Sequence, residues 1–387
     1  MLAALLSFAM LHFMIGEISI SAKEARNFFE NNAFFYQILR FISEKYGRSD
    51  YSLRLFPIGL HLINLALIFG ISLRYLRKKS DALFCTIAFG LIPGVNFLAL
   101  FANEGILVLT ISLVFALLFS FFQNNTKISL IARLILIAAI ASLGFEYLLI
   151  LLGLLAYLLR QKRFYEALFC VICMGLNLYF FDSQINGRPR AYFFDTLSQM
   201  SIIYSPILFI YYAYSLYWGI VVRNHILAYL GASSIIFCLV LSIRQSIDFY
   251  TFLPQSLVGF PIMIMCFFSD LRTKLIYFRK KNYVIFTLIL AFLLIELAFI
   301  FGNKITYTAS AKPNFASSYY FSKEIANNLK KLGISSIKSP PNLRYQLKFY
   351  GIEEAKSPRL IPTYGAQKSD IKIIYNNRLI RSYDIKG

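Results

Sequence analysis

The sequence predicts an all-α polytopic membrane bundle of about eleven transmembrane helices, followed by a small C-terminal α/β soluble domain. Three observations carry this expectation. Hydrophobic residues make up 58% of the chain and the mean hydropathy is +0.62, against roughly 45–50% apolar in an average soluble domain. The apolar runs are continuous rather than alternating, and several reach the ~20 residues that cross a hydrocarbon core of about 30 Å, where only helices or closed barrels satisfy the backbone. After Gly302 hydrophobic density falls, charge rises, and helical and strand patterns alternate.

The apolar runs lie near 2–20, 55–73, 82–102, 104–122, 128–143, 145–160, 165–181, 201–221, 225–242, 253–269 and 283–302. The first reads as a membrane helix and not a cleavable signal, because residues 1–15 lack a basic n-region and no small-residue cleavage site follows. An odd number of spans puts the chain ends on opposite sides. Basic clusters at Arg74, Arg77, Lys78 and Lys79, at Arg160, Lys162 and Arg163, and at Arg272, Lys274, Arg279, Lys280 and Lys281 occupy alternate loops. The positive-inside rule makes those loops cytoplasmic and the tail external.

On this topology the cytoplasmic loops hold 15 Lys/Arg and 3 Asp/Glu, and the opposite membrane loops hold 9 and 10. Positive-inside bias accounts for the cations but predicts nothing about acids, so carboxylates gathered on the outer face point to chemistry there, beside the ordinary reading as solvated loop residues. The net charge of +20 needs no nucleic acid, since cytoplasmic anchors and the tail supply most of the cations and anionic lipid headgroups suffice as partners.

Cys85, Cys170, Cys173, Cys238 and Cys266 all fall inside or beside apolar runs, so no disulfide framework is expected. Cys170 and Cys173 form a C-x-x-C without a nearby His or acid and read as packing residues. His12, His61 and His225 have no Glu-x-x-His spacing and make no zinc site.

Residues 17–54 form the longest loop within the bundle, and Phe34, Phe35, Ile38, Leu39 and Ile42 recur at helical spacing, the pattern of an amphipathic helix on the membrane surface. Its polar face carries Arg40, Glu44 and Lys45. A second outer loop, 182–200, is broken by Asn186, Gly187 and Pro189. Arg188 and Arg190 beside aromatics suit a lipid phosphate or serve as interfacial anchors. Glu296 lies inside the last apolar run, where an ionisable group faces the bundle or a cavity.

In the tail, 318–332 has helical spacing and ends before Gly333. A short helix around 342–350 and strands near 358–363 and 370–384, the last pair turning at Asn376-Asn377, complete an α/β unit over 303–387. Its 15 basic residues against 5 acidic ones suit an anionic acceptor or the membrane surface.

The first loop carries Glu24-Ala25-Arg26, a surface helix, Tyr46-Gly47, and then Leu53-Arg54-Leu55-Phe56-Pro57 opening the second apolar run, with Asn103-Glu104-Gly105 in the next hairpin. This order resembles the dolichyl-phosphate-mannose protein mannosyltransferase and lipid A aminoarabinose transferase families, multi-pass glycosyltransferases of the C-type fold. The resemblance covers about the first 160 residues by pattern and the rest by architecture. It implies a mannosyltransferase-like enzyme with its active site and C-terminal domain on the outer membrane face; with short loops and no outer cysteine, that face is expected to be the periplasmic side of a bacterial inner membrane, with a eukaryotic lumen as the alternative. It further implies a polyprenyl-phosphate-linked sugar donor and a lipid, glycan or protein acceptor.

Carried onto this chain, the resemblance makes Glu24 the base and Glu104 its helper in orienting the acceptor or a metal. Arg26, Arg188, Arg190 and Arg244 become candidates for phosphate contacts, with Arg54 beside them or acting as a structural partner of an acid. A solvated Glu24 and a helix-capping Glu104 are the bland alternatives. No cofactor is assigned; a divalent cation is compatible with the acids. Two departures stand out: Lys23 precedes Glu24 where the lipid A branch usually has a second acid, and Asn31-Asn32-Ala33-Phe34 replaces paired prolines. A transporter or lipid flippase, for which the Pro93-Gly94 break is one sign, and a non-catalytic member of the same fold remain the alternatives.

Overall fold

The computed structural model describes residues 2–123, 126–181, 192–247, 249–309, 317–363 and 369–386. Each of the eleven apolar runs contains helix. By length and composition, Asp50–Tyr75, Pro254–Thr273 and Arg279–Phe299 suffice to cross a membrane, and up to five helices do if each of two bent pairs counts as one span. That is fewer than the eleven spans expected, because several apolar runs end after 13 to 17 helical residues.

Both bends have a local cause. Lys79–Gly90 and Pro93–Leu100 meet at 62°, where Pro93 lacks the N–H that would continue the helix. Phe193–Tyr204 and Pro206–Val221 meet at 98°. Ser205 between them has φ 73° and ψ 133°, outside the helical region that a following proline disfavours. The run expected at 201–221 is therefore two helices, its first four residues ending the preceding one.

Contacts group the chain into two units. The first is built mainly from Gly59–Ala99 and Glu104–Glu296. Within it Leu148–Arg160 lies against Ile226–Leu241, and Gly153 makes the approach possible: a Cβ there would stand 2.6 Å from Ser233 Oγ and 2.7 Å from the Tyr229 carbonyl. Pro254–Gly259, a 3₁₀ segment with all six residues buried, packs on Ile226–Leu241 and Gly105–Phe121. A buried charge inside an apolar bundle needs a partner, and Arg133 finds Glu166 through two parallel bonds of 2.8 and 2.7 Å. All five cysteines are free and buried, as packing residues should be.

The second unit comprises Leu6–Ile58, Leu100–Asn103 and Leu297–Gly387. Its sheet runs β1 (Ser336–Lys338), β2 (Glu353–Thr363), β3 (Ile371–Tyr375) and β4 (Arg378–Lys386), in the order β1-β2-β4-β3 with β1 parallel to β2 and the other pairs antiparallel. Asn376 and Asn377 both take positive φ, 49° and 62°, as a two-residue type I′ hairpin requires. Ser322–Lys331 ends in a Schellman motif, with Gly333 at φ 74° and the Ile334 N–H donating to the Leu329 carbonyl.

The first loop belongs to this unit. Instead of one surface helix it forms two, Ala22–Glu30 and Phe34–Tyr46. Phe35, Tyr36 and Leu39 of the second are buried while Phe34 and Phe41 stay exposed. Arg40 is not on a free polar face: its guanidinium donates to the Phe28 and Asn31 carbonyls at 2.9 Å, closing the end of Ala22–Glu30. The tail helix Arg344–Phe349 packs on Ala22–Glu30, with the Phe28 and Phe349 rings edge-on at 5.4 Å. A boundary at residue 302 thus separates segments that share one core.

Candidate functional site

A buried polar cluster of the second unit forms around Glu24, Asp50 and Arg54. Ser21 caps Ala22–Glu30, its hydroxyl accepting from the Glu24 N–H, and the Glu24 carboxylate reaches back to accept from the Ser21 N–H at 2.8 Å. This reciprocal capping box follows from the Ser-x-x-Glu spacing of Ser21 and Glu24. The other carboxylate oxygen accepts from the Ala102 N–H at 2.7 Å. Glu24 is therefore buried and held in one orientation, with one lone pair of each oxygen committed to backbone.

Arg54 is wholly buried. Its Nε donates to the Leu100 carbonyl at 2.9 Å, and its two terminal nitrogens donate to the Ile18 and Ser19 carbonyls at 3.2 Å. Asp50, one helical turn earlier, lies 3.4 Å away as its counter-ion. The short segment Leu100–Asn103 is thus gripped twice, through a carbonyl by Arg54 and through an N–H by Glu24.

Asp50 ties this loop to the tail. Its carboxylate accepts from the Tyr350 hydroxyl at 2.7 Å and pairs with Lys323 Nζ at 3.0 Å, while the Tyr350 oxygen accepts from the Ile20 N–H at 3.1 Å. Burial first, and the Asp50 carboxylate second, push the Tyr350 phenol above its ordinary pKa. Gln346 donates to the Ile20 carbonyl, and the Phe101 ring stacks on Tyr319 at 4.1 Å. Phosphate contact by Arg54 does not fit this geometry. Its partner acid is Asp50, and its donors are turned to carbonyls.

Arg26 is two-thirds exposed and pairs with Glu30 at 2.7 Å; Tyr345 also bonds Glu30. The Tyr345 hydroxyl and the Arg26 guanidinium together hold the Glu30 carboxyl below its usual range. Arg244 is exposed just beyond Ile226–Leu241. Arg188 and Arg190 lie outside the described residues.

In the first unit Glu104 stands at the N-cap of Gly105–Phe121, where the helix dipole favours an acid, and its side chain makes no cap hydrogen bond. It is half-buried and, with Glu146, lies within electrostatic range of Tyr147. Glu296 is also half-buried and faces the Ser205 hydroxyl, as an acid within an apolar helix should. Among the described residues no three His, Cys, Asp or Glu side chains converge as metal ligands do.

Sequence reasoning missed Asp50, Lys323 and Tyr350. Asp50 carried a signal, an acid at i−4 to Arg54 in the first turn of Asp50–Tyr75. Lys323 and Tyr350 carried none.

No protein-family model matches the chain, nor does any curated protein. Solved structures do match, among them ArnT from Cupriavidus metallidurans bound to undecaprenyl phosphate and the same protein in the apo state. To the first the chain is 12% identical with a TM-score of 0.55, covering 90% of this chain and 74% of that one. To the second it is 13% identical with a TM-score of 0.57, covering 91% and 73%. The chain therefore has the fold of ArnT, the C-type glycosyltransferase fold of a lipid A aminoarabinose transferase.

Proposed function

We propose that this chain is a membrane glycosyltransferase that moves a sugar from a polyprenyl-phosphate donor to an acceptor on the outer face of a bacterial inner membrane, with its tail in the periplasm. The observation that carries the proposal is the shared fold over 90% of the chain with a protein seen bound to undecaprenyl phosphate.

In such a transfer an acceptor oxygen or nitrogen attacks the anomeric carbon. The bond from that carbon to the phosphate oxygen breaks, and its electron pair leaves with the polyprenyl phosphate. A base takes the acceptor's proton. Glu24 is the proposed base: two backbone donors orient its carboxylate, and the remaining lone pair on each oxygen is what proton transfer uses. Glu104, half-buried at the N-terminus of Gly105–Phe121, is the proposed helper that orients the acceptor. Arg26, Arg188, Arg190 and Arg244 are the proposed cations for the departing phosphate. Arg54 is a positioning residue, holding the backbone that carries Ile18, Ser19 and Leu100.

One observation favours a transporter as the second reading. Two broken helices meet where Gly94 leaves room for Ile203, whose carbonyl would stand 3.0 Å from a Cβ at that position.

Mass spectrometry of lipids that copurify in mild detergent tests the proposal. A polyprenyl phosphate or its sugar conjugate is expected with the wild type, and its loss is expected with Arg188→Ala/Arg190→Ala. Glu24→Ala and Glu104→Ala should each retain the donor and abolish transfer. Bulk phospholipid alone in the wild type, or normal transfer by both Glu variants, would overturn the proposal and move the transporter ahead.

A further inference from the structure

The Ile276–Phe301 helix has one packed face and one open one. Phe286 packs between the rings of Phe84 and Phe267, at 4.6 and 4.5 Å, and Leu293 on the same side is buried. Over the membrane-crossing window Arg279–Phe299 only 11% is buried. The open side carries a groove of about 610 Å³ lined by Arg279, Lys280, Tyr283, Val284, Thr287 and Leu288. These positions recur as adjacent pairs every four residues, a single stripe along the helix. At 1.5 Å per residue the stripe is about 13 Å long, close to the ~15 Å depth of one leaflet of hydrocarbon.

Along the stripe the chemistry changes in one direction. It begins with two cations, passes an exposed phenol at Tyr283, and ends on exposed Val284 and Leu288. Among the described residues neither cation pairs with an acid: Asp81 is paired with Arg272, and Arg279 donates to the Lys274 and Arg272 carbonyls. A free phosphate would use the cationic end alone. A lipid uses the whole stripe, with its phosphate at Arg279 and Lys280 and an acyl chain beside Val284 and Leu288.

We infer that this groove is a binding site for one anionic glycerophospholipid, held by its phosphate at Arg279 and Lys280 and by a chain seated along Tyr283, Val284 and Leu288. The site is separate from the proposed transfer chemistry and does not depend on it.

Two variants of the full chain test the site. Arg279→Gln/Lys280→Gln removes the headgroup contacts from a solvent-facing turn, and Val284→Trp fills the groove while keeping both cations. Each is purified into phosphatidylcholine nanodiscs titrated with phosphatidylglycerol, and bound lipid is counted by native mass spectrometry. The wild type should retain phosphatidylglycerol. The Gln pair should bind it roughly thirtyfold more weakly, the loss of two interfacial cations, and Val284→Trp should lose it as well. No retention by the wild type, equal retention by the Gln pair, or full retention by Val284→Trp would each overturn the site. The last would leave only diffuse attraction of headgroups to a basic surface.

Discussion

Replacing Arg54 by Met tests the buried cluster most directly. The wild-type guanidinium is fully buried, donates to three carbonyls at 2.9–3.2 Å and stands 3.4 Å from Asp50. Methionine approximates the length of the stem but donates nothing. Hydrogen bonds from a charged donor contribute roughly 1.5–3 kcal/mol each, so three lost bonds set an upper range near 4.5–9 kcal/mol. The guanidinium's own desolvation, several kcal/mol, is recovered on its removal and offsets part of this. The net expectation is about 3–5 kcal/mol of destabilisation, the usual range for removing one partner of a buried pair. Thermal unfolding in detergent should record a fall of several degrees. Arg54→Lys should recover part of it, because an ammonium restores the charge beside Asp50 but lacks the planar fork. Asp50→Asn combined with Arg54→Met should cost less than the sum of the two, by about 0.5–3 kcal/mol. An Arg54→Met protein that melts with the wild type, or strict additivity in the cycle, would refute the cluster as a source of stability.

Three further outcomes follow from the same contacts. The folded-state pKa of Tyr350 is raised, so its contribution to stability is complete below the unfolded tyrosine value near 10 and is lost progressively as pH rises from there toward the folded value; unfolding midpoints should fall for the wild type as pH is raised above about 10, and fall less for Tyr350→Phe. Gly153→Val should destabilise by about 1–3 kcal/mol, because the added carbons meet Ser233 and the Tyr229 carbonyl, and a melting curve matching the wild type would contradict this close approach. Glu24→Gln should lose both transfer and roughly 1 kcal/mol of stability, since its amide accepts from one of the two backbone N–H groups and opposes the other; transfer lost with stability intact would remove the structural half of its role.

Much of the fold is legible in the sequence because it follows from local pattern. Continuous apolar runs become helices, Gly333 stops a helix by adopting a positive φ, and Asn376-Asn377 turns a hairpin. Where two residues act on neighbours in the chain, the sequence carries the signal, as with the Ser21 and Glu24 capping box or the i,i+4 pair of Asp50 and Arg54. The bends were half legible: proline marks where each helix stops, but not whether the chain turns by 62° or 98°.

The composition of the chain by itself determined that it is a helical membrane-type protein with a small α/β tail, since hydrophobic period and turn chemistry act over a few residues. Tertiary structure alone decided that the first loop and the tail form one unit. Asp50 meets Tyr350 across 300 positions of sequence, and Glu24 meets Ala102 across 78. No periodicity encodes such pairings, because they arise when buried polar groups, denied water, must take whatever partner the folded backbone brings within reach.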